Sequence, residues 1–166
     1  HTADDAYING LITAARSLVE TWTGIICITQ VREFFRSDWP RQESDCIFLP
    51  WSPVQTVDAF EVTDADGNVA TVDDSFYIAC LRKASPSRLV LKYNYTWPAS
   101  ILSPRDAIHI RCTVGYASAA EVPQIIKNAI LLLIGHWYEN RIAVNVGKTA
   151  AISSSEVVMG VRTMLE

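Results

Sequence analysis

One stretch, Val122 to Arg141 (VPQIIKNAILLLIGHWYENR), holds the longest apolar run of the chain and its clearest helix start. Pro123 falls where a helix tolerates proline best, the first helical position, whose N–H would lack an intrahelical partner in any case. Ile126, Ile130, Leu133 and Trp137 recur at helical spacing, and Ile125, Ala129, Leu132 and His136 form a second row beside them. The line that ought to be wet is the informative one. It begins at Lys127 but runs on through Leu131, Gly135 and Tyr138 or Glu139, so the middle turns are apolar almost all round. A helix of this kind is expected to be buried on every side. Either the protein's own strands cover the last face or a neighbouring copy of the chain does. The second reading makes Leu131, Gly135, Tyr138 and, at the helix end, Arg141 a subunit interface. Arg141 also has a plainer role there, complementing the negative end of the helix dipole.

The chain has 166 residues, enough for one domain with a sizeable core, and a hydrophobic share of 49% argues against disorder. Its longest apolar run, Ala129 to Gly135, falls far short of the roughly 20 residues of a membrane-spanning helix, so no membrane segment is expected. The first residue is His, and nothing near it resembles a signal peptide, so the natural N-terminus is expected to lie upstream. Net charge is −4 and the 14 Lys and Arg are scattered, which speaks against ordinary phosphate-neutralising nucleic-acid binding. Cys27, Cys46, Cys80 and Cys112 lie far apart, with no CxxC pair, a pattern that predicts reduced, structural thiols in a cytosolic protein. On that reading the sequon Asn94-Tyr95-Thr96 is a chance match.

Thr2 and Asp5 stand at capping-box spacing ahead of Ile8, Leu11, Ile12, Ala15, Leu18, Val19 and Trp22, which predicts a first helix ending at Gly24. From Ile25 to Tyr116 the pattern turns β-branched and aromatic, cut by Pro, Gly and Asp, as expected of a mostly antiparallel β-region. Predicted strands are Ile25–Phe35 (one or a pair), Cys46–Leu49, Val54–Thr63, Val69–Val72, Phe76–Cys80, Leu89–Tyr93 and Ile108–Val114. Asp64 to Asn68 supplies a hairpin turn between the third and fourth. The last strand is the cleanest, with Ile108, Ile110, Cys112 and Val114 alternating with His109, Arg111 and Thr113. After the central helix, Ala143 to Ser154 reads as a flexible tether. Ser153 and Glu156 then repeat the capping spacing before Val157, Val158, Val161, Met164 and Leu165, one apolar face of a short terminal helix.

Motifs that could carry chemistry fail on inspection. Gly147-Lys148-Thr149 matches the end of a phosphate-binding loop, but Ile142 replaces the required glycine. A calcium loop starting at Asp64 would need glycine and glutamate where Val69 and Ser75 stand. His1, His109 and His136 are the three imidazoles, and none has a Cys or Ser partner at a catalytic spacing. Adjacent carboxylates such as Asp73-Asp74 point apart and make no acid/base pair. No catalytic, metal or cofactor site is therefore expected.

Taken together, Leu49-Pro50 with Pro53-Val54, Asp66-Gly67, Trp97-Pro98, Ile110 leading to Gly115-Tyr116, Val122-Pro123, Ile126-Lys127 with Ala129-Ile130, and His136 through Arg141 resemble the head–tail connector (adaptor) proteins of long-tailed bacteriophages, prophages and gene transfer agents. The resemblance implies an α+β fold: a helical connector core of N-terminal, long central and short C-terminal helices with an inserted antiparallel β-region. Residues 1–166 would be a single connector domain, 25–116 the insert, and 143–166 a tether plus docking helix. It also implies a non-enzymatic, dodecameric homo-oligomeric ring in the particle neck, under the portal protein. Such a ring extends the DNA channel without binding DNA specifically and receives the stopper or tail side. Val157, Val158, Val161, Met164 and Leu165 would dock on the portal. A short helix that usually precedes the first one in that family is missing here. The other reading is a non-catalytic β-rich module for carbohydrate or another ligand, stacking it on Trp39, Trp51 or Trp97.

Overall fold

The structure, a computed structural model, describes residues 4–40, 46–82, 86–98 and 102–140. In chain order they form α1 (Asp5–Thr23), β1 (Gln30–Arg36), β2 (Cys46–Phe48), β3 (Val54–Thr63), β4 (Val69–Thr71), β5 (Tyr77–Cys80), β6 (Arg88–Leu91), β7 (Ile108–Val114) and α2 (Gln124–Glu139). The chain divides into two units, residues 28–117 and the segments on either side of them.

In the first unit the alternation of β7 decides the arrangement. Ile108, Ile110, Cys112 and Val114 have no exposed surface, while His109, Arg111 and Thr113 face outward. A strand buried on one face and central in its sheet needs two partners. β1 lies antiparallel along its full length, from Gln30 opposite Val114 to Arg36 opposite Ile108, and β3 lies antiparallel on the other side. Register shifts between Val54 and Thr56 and between Val57 and Ala59 keep the longer β3 in step with β7. β4 completes a four-stranded sheet of order β1-β7-β3-β4. In the β3–β4 turn the Asp64 carboxylate accepts hydrogen bonds from the backbone N–H groups of Asp66 and Asn68 and from the Asn68 side chain. Those bonds, the side-chain one first, hold the Asp64 carboxyl below the usual carboxylate range. This is hairpin chemistry, with the acid engaged by its own turn.

A second antiparallel sheet, of order β2-β6-β5, buries Ile47 and Leu89 completely. Phe60 on β3 links the two sheets, meeting Tyr77 of β5 edge-on at 5.3 Å and also touching Trp39 and Trp97. Where β7 ends, Gly115 takes φ +103, and a Cβ there would strike the Ile28 carbonyl group, 2.6 Å from its carbon. No side chain fits that approach.

In the second unit α1 stops where expected, at Gly24 with φ +68, whose N–H returns to the Glu20 carbonyl at 2.9 Å. The helices run antiparallel: Tyr7 near the start of α1 meets Tyr138 near the end of α2, ring centroids 6.3 Å apart. Ala15 and Val19 of α1 and Ile126, Ala129 and Leu133 of α2 are their buried residues.

These observations correct several expectations. The fold is not a helical core with a β-insert: the described residues are mostly sheet, two antiparallel sheets with only two helices. Most of the largest fully buried side chains, Phe60, Ile108, Ile110 and Leu89 among them, belong to strands. The strands bury them jointly through pairings distant in sequence, so segments of three or four residues carry more of the core than their length suggests. Strand β1 starts only at Gln30, because upstream polar groups are taken locally. Ile25 N–H bonds the Thr23 hydroxyl, Cys27 N–H bonds the Glu20 carboxylate, and the Thr29 hydroxyl bonds the Tyr116 carbonyl. Pro123, with ψ 140, caps α2 rather than opening it, and Asp4 occupies the cap position of α1. Thr2, Arg141, the tether at 143–154, Gly147-Lys148-Thr149 and the terminal helix fall outside the described residues.

Candidate assembly surface

The surface that stands out lies on α2. A single stripe, Ile126, Ala129 and Leu133, is enough to bury one side of this helix, and the apolar residues beyond it are left over. Leu131 is 63% exposed, Leu132 51% and Ile125 48%. The expectation that α2 is buried on every side is thus corrected within one chain. Ile125 and Leu132, assigned by spacing to a buried row with Ala129, lie outside it, since that row sits at the edge of the covered arc and only its smallest member is enclosed.

Of the four residues expected at an interface, the structure brings three onto one line of α2. Leu131 is exposed, and Gly135, also exposed, has open space where a Cβ would stand. Tyr138 is exposed too but engaged with α1, its hydroxyl 3.3 Å from an Asp4 carboxylate oxygen and its ring tilted on Tyr7. Arg141 and the five expected docking residues, Val157, Val158, Val161, Met164 and Leu165, lie outside the described residues. Sequence reasoning missed Ile125 and Leu132 as surface residues. The available signal was that α2 carries more apolar side chains than one packing stripe can use.

Elsewhere the side chains that could hold a ligand are occupied. Trp39 and Trp97 stack on each other at 4.9 Å and both contact Phe60, and Trp51 meets Phe34 edge-on. They pack the sheet unit instead of standing out as platforms for a sugar. A groove of about 820 Å³ between residues 36–39 and 102–104 holds one carboxylate, Asp38, and no His or Cys. Among the described residues no group of His, Cys, Asp and Glu is placed to hold a metal ion, and no helix is long and apolar enough to cross a membrane. All four cysteines are free thiols. Burial pushes those of Cys27 and Cys112 up to about 11, with further push from Glu20 and Asp58 respectively, so both stay protonated and unreactive near neutrality. His136 accepts a contact from the Asn140 amide at 3.3 Å.

A β-rich body joined to a helix pair that leaves large apolar side chains in water defines a class of chain built to be packed against, an assembly component. The chain belongs to the head completion protein family, whose model matches residues 1–166. No curated protein matches it. Among solved structures it is similar in fold to a chain in the neck of an empty gene transfer agent particle computed with C6 symmetry. That match has 23% identity and a TM-score of 0.72, covering 98% of this chain and 78% of that one. A chain in the neck of the native particle computed with C12 symmetry is similar at 22% identity and a TM-score of 0.70, with 95% and 82% covered. A chain of the native gene transfer agent virion is similar at 22% identity and a TM-score of 0.71, with 95% and 77% covered.

Proposed function

We propose that this protein is a structural component of the neck of a phage or phage-like particle, a head–tail connector assembled as a ring beneath the portal protein. The ring would extend the DNA channel and present its other side to the stopper or tail. The observation that carries the reading is the family match over all 166 residues. Two further findings support it: the similar folds occur in particle necks computed with C6 and C12 symmetry, and α2 exposes Leu131 and Leu132. A net charge of −4 suits a channel past which DNA slides without sticking.

In this reading Leu131, Gly135, Tyr138 and Arg141 contact the next subunit. Leu131→Glu should leave the isolated chain folded with an unchanged melting temperature, because the side chain is in water there, yet block ring formation on portal. A buried unpaired carboxylate costs several kcal/mol at each contact around a ring. Light scattering and co-sedimentation with portal rings read the two effects. Unfolding of the isolated variant would place Leu131 in the chain's own core and sink the interface.

The tether and terminal helix are assigned to portal docking through Val157, Val158, Val161, Met164 and Leu165. A helix this short is marginal alone, since isolated helices below about 12 to 15 residues are unstable in water, and an apolar stripe lets it order in a partner's groove. Deleting residues 154–166 should leave thermal unfolding unchanged and abolish co-sedimentation with portal. Portal binding that survives the deletion, or a large loss of stability, would show that the tail does something else.

A further inference from the structure

On the outer face of the four-stranded sheet, His109 of β7 sits between two carboxylates from the flanking strands. Its Nδ1 is 3.2 Å from Glu61 Oε2 on β3, and its Nε2 is 3.6 Å from Glu33 Oε1 on β1. Phe35 of β1 stacks on the ring, centroids 4.7 Å apart and planes 7° from parallel, which fixes its orientation. Nε2 is buried and has no hydrogen-bond partner. A neutral imidazole carries one N–H and one lone pair. With a carboxylate at each nitrogen, a neutral ring must turn its lone pair on one of them, here toward Glu33, across a gap too long for a hydrogen bond. Only the imidazolium offers an N–H to both sides.

We propose that His109 is a protonation-dependent clamp that ties β1, β7 and β3 together across the sheet when the imidazole is charged and loosens the β1 side when it is neutral. The remaining groups on this face do not replace it. Arg111, two residues along β7, stands opposite Glu33 and Ala59 in register. Asp58 is held by the hydroxyls of Thr56 and Thr113, and β4 presents Thr71 beside Glu61. The sign follows from which form gains partners. The charged ring is the better-bound form, so the clamp's stabilisation is present on the acid side of the histidine titration and is lost as pH rises through it. It also disappears once Glu33 and Glu61 are protonated. The working window therefore lies between the carboxylate and histidine ranges.

Thermal unfolding of the full chain at about pH 5.5 and about pH 8, on either side of ordinary histidine titration, tests this. The acid-minus-alkaline difference in melting temperature should be larger in the wild type than in His109→Gln by about 2–4 °C. His1 and His136 are present in both proteins, so their contributions cancel. Glu33→Gln supplies an amide N–H to the Nε2 lone pair and should shrink the same difference by raising the melting temperature at the alkaline pH. Equal differences in wild type and His109→Gln would overturn the clamp. So would a Glu33→Gln protein with the full wild-type pH dependence.

Discussion

Replacing Gly115 with valine should destabilise the chain by more than about 3 kcal/mol, enough to leave much of it unfolded at physiological temperature. Two penalties act together. The backbone at φ +103 is a conformation that an L side chain rarely adopts, and the new Cβ would be driven into the Ile28 carbonyl group and Thr29 nitrogen. Relief by movement is blocked because both segments are tied down. Gly115 N–H bonds the Pro53 carbonyl at 2.8 Å, the Gln55 amide bonds the Gly115 carbonyl at 2.7 Å, and the Thr29 hydroxyl bonds the Tyr116 carbonyl at 2.9 Å. Shifting the chain far enough to admit a side chain breaks at least one of these. Urea unfolding followed by far-UV circular dichroism measures the effect. A midpoint within error of the wild type would mean that the Ile28 backbone is not where the structure puts it.

Phe60→Ala should cost about 3–5 kcal/mol, the range for removing a fully buried aromatic side chain. The residue is 2% exposed, and its ring is the common neighbour of Tyr77 on the second sheet and of the stacked Trp39–Trp97 pair. Taking it away opens a cavity between the sheets that the surrounding rings cannot close without leaving their mutual stacking. Loss of near-UV circular dichroism should therefore accompany the fall in stability, since the tryptophan pair loses the surface that orders it. Retained stability with intact tryptophan signals would show that the two sheets are held together by other contacts.

The first helix, the hairpin at Asp64–Asn68, the alternation of β7 and the absence of a catalytic motif were legible because each rests on neighbours in sequence. Gly24 ends a helix by its own φ, Asp64 folds its own turn, and Ile108 to Val114 alternate whatever pairs with them. The weight of the sheets was not legible. Cys46–Phe48 and Val69–Thr71 are too short to show a period, and their worth depends on strands far away in the chain. The apolar run of α2 pulled the reading toward a helical core for the same reason: a 16-residue helix announces itself locally, whereas a sheet does so only once paired. Composition alone identified α2 as over-apolar, and on that basis Leu131 and Gly135 were assigned to an interface. Only the packing decided which apolar residues stay in water, because burial of a helix face depends on what lies against it. Glu33, His109 and Glu61 come from three strands and meet solely through antiparallel register, a relation that no spacing along the chain encodes.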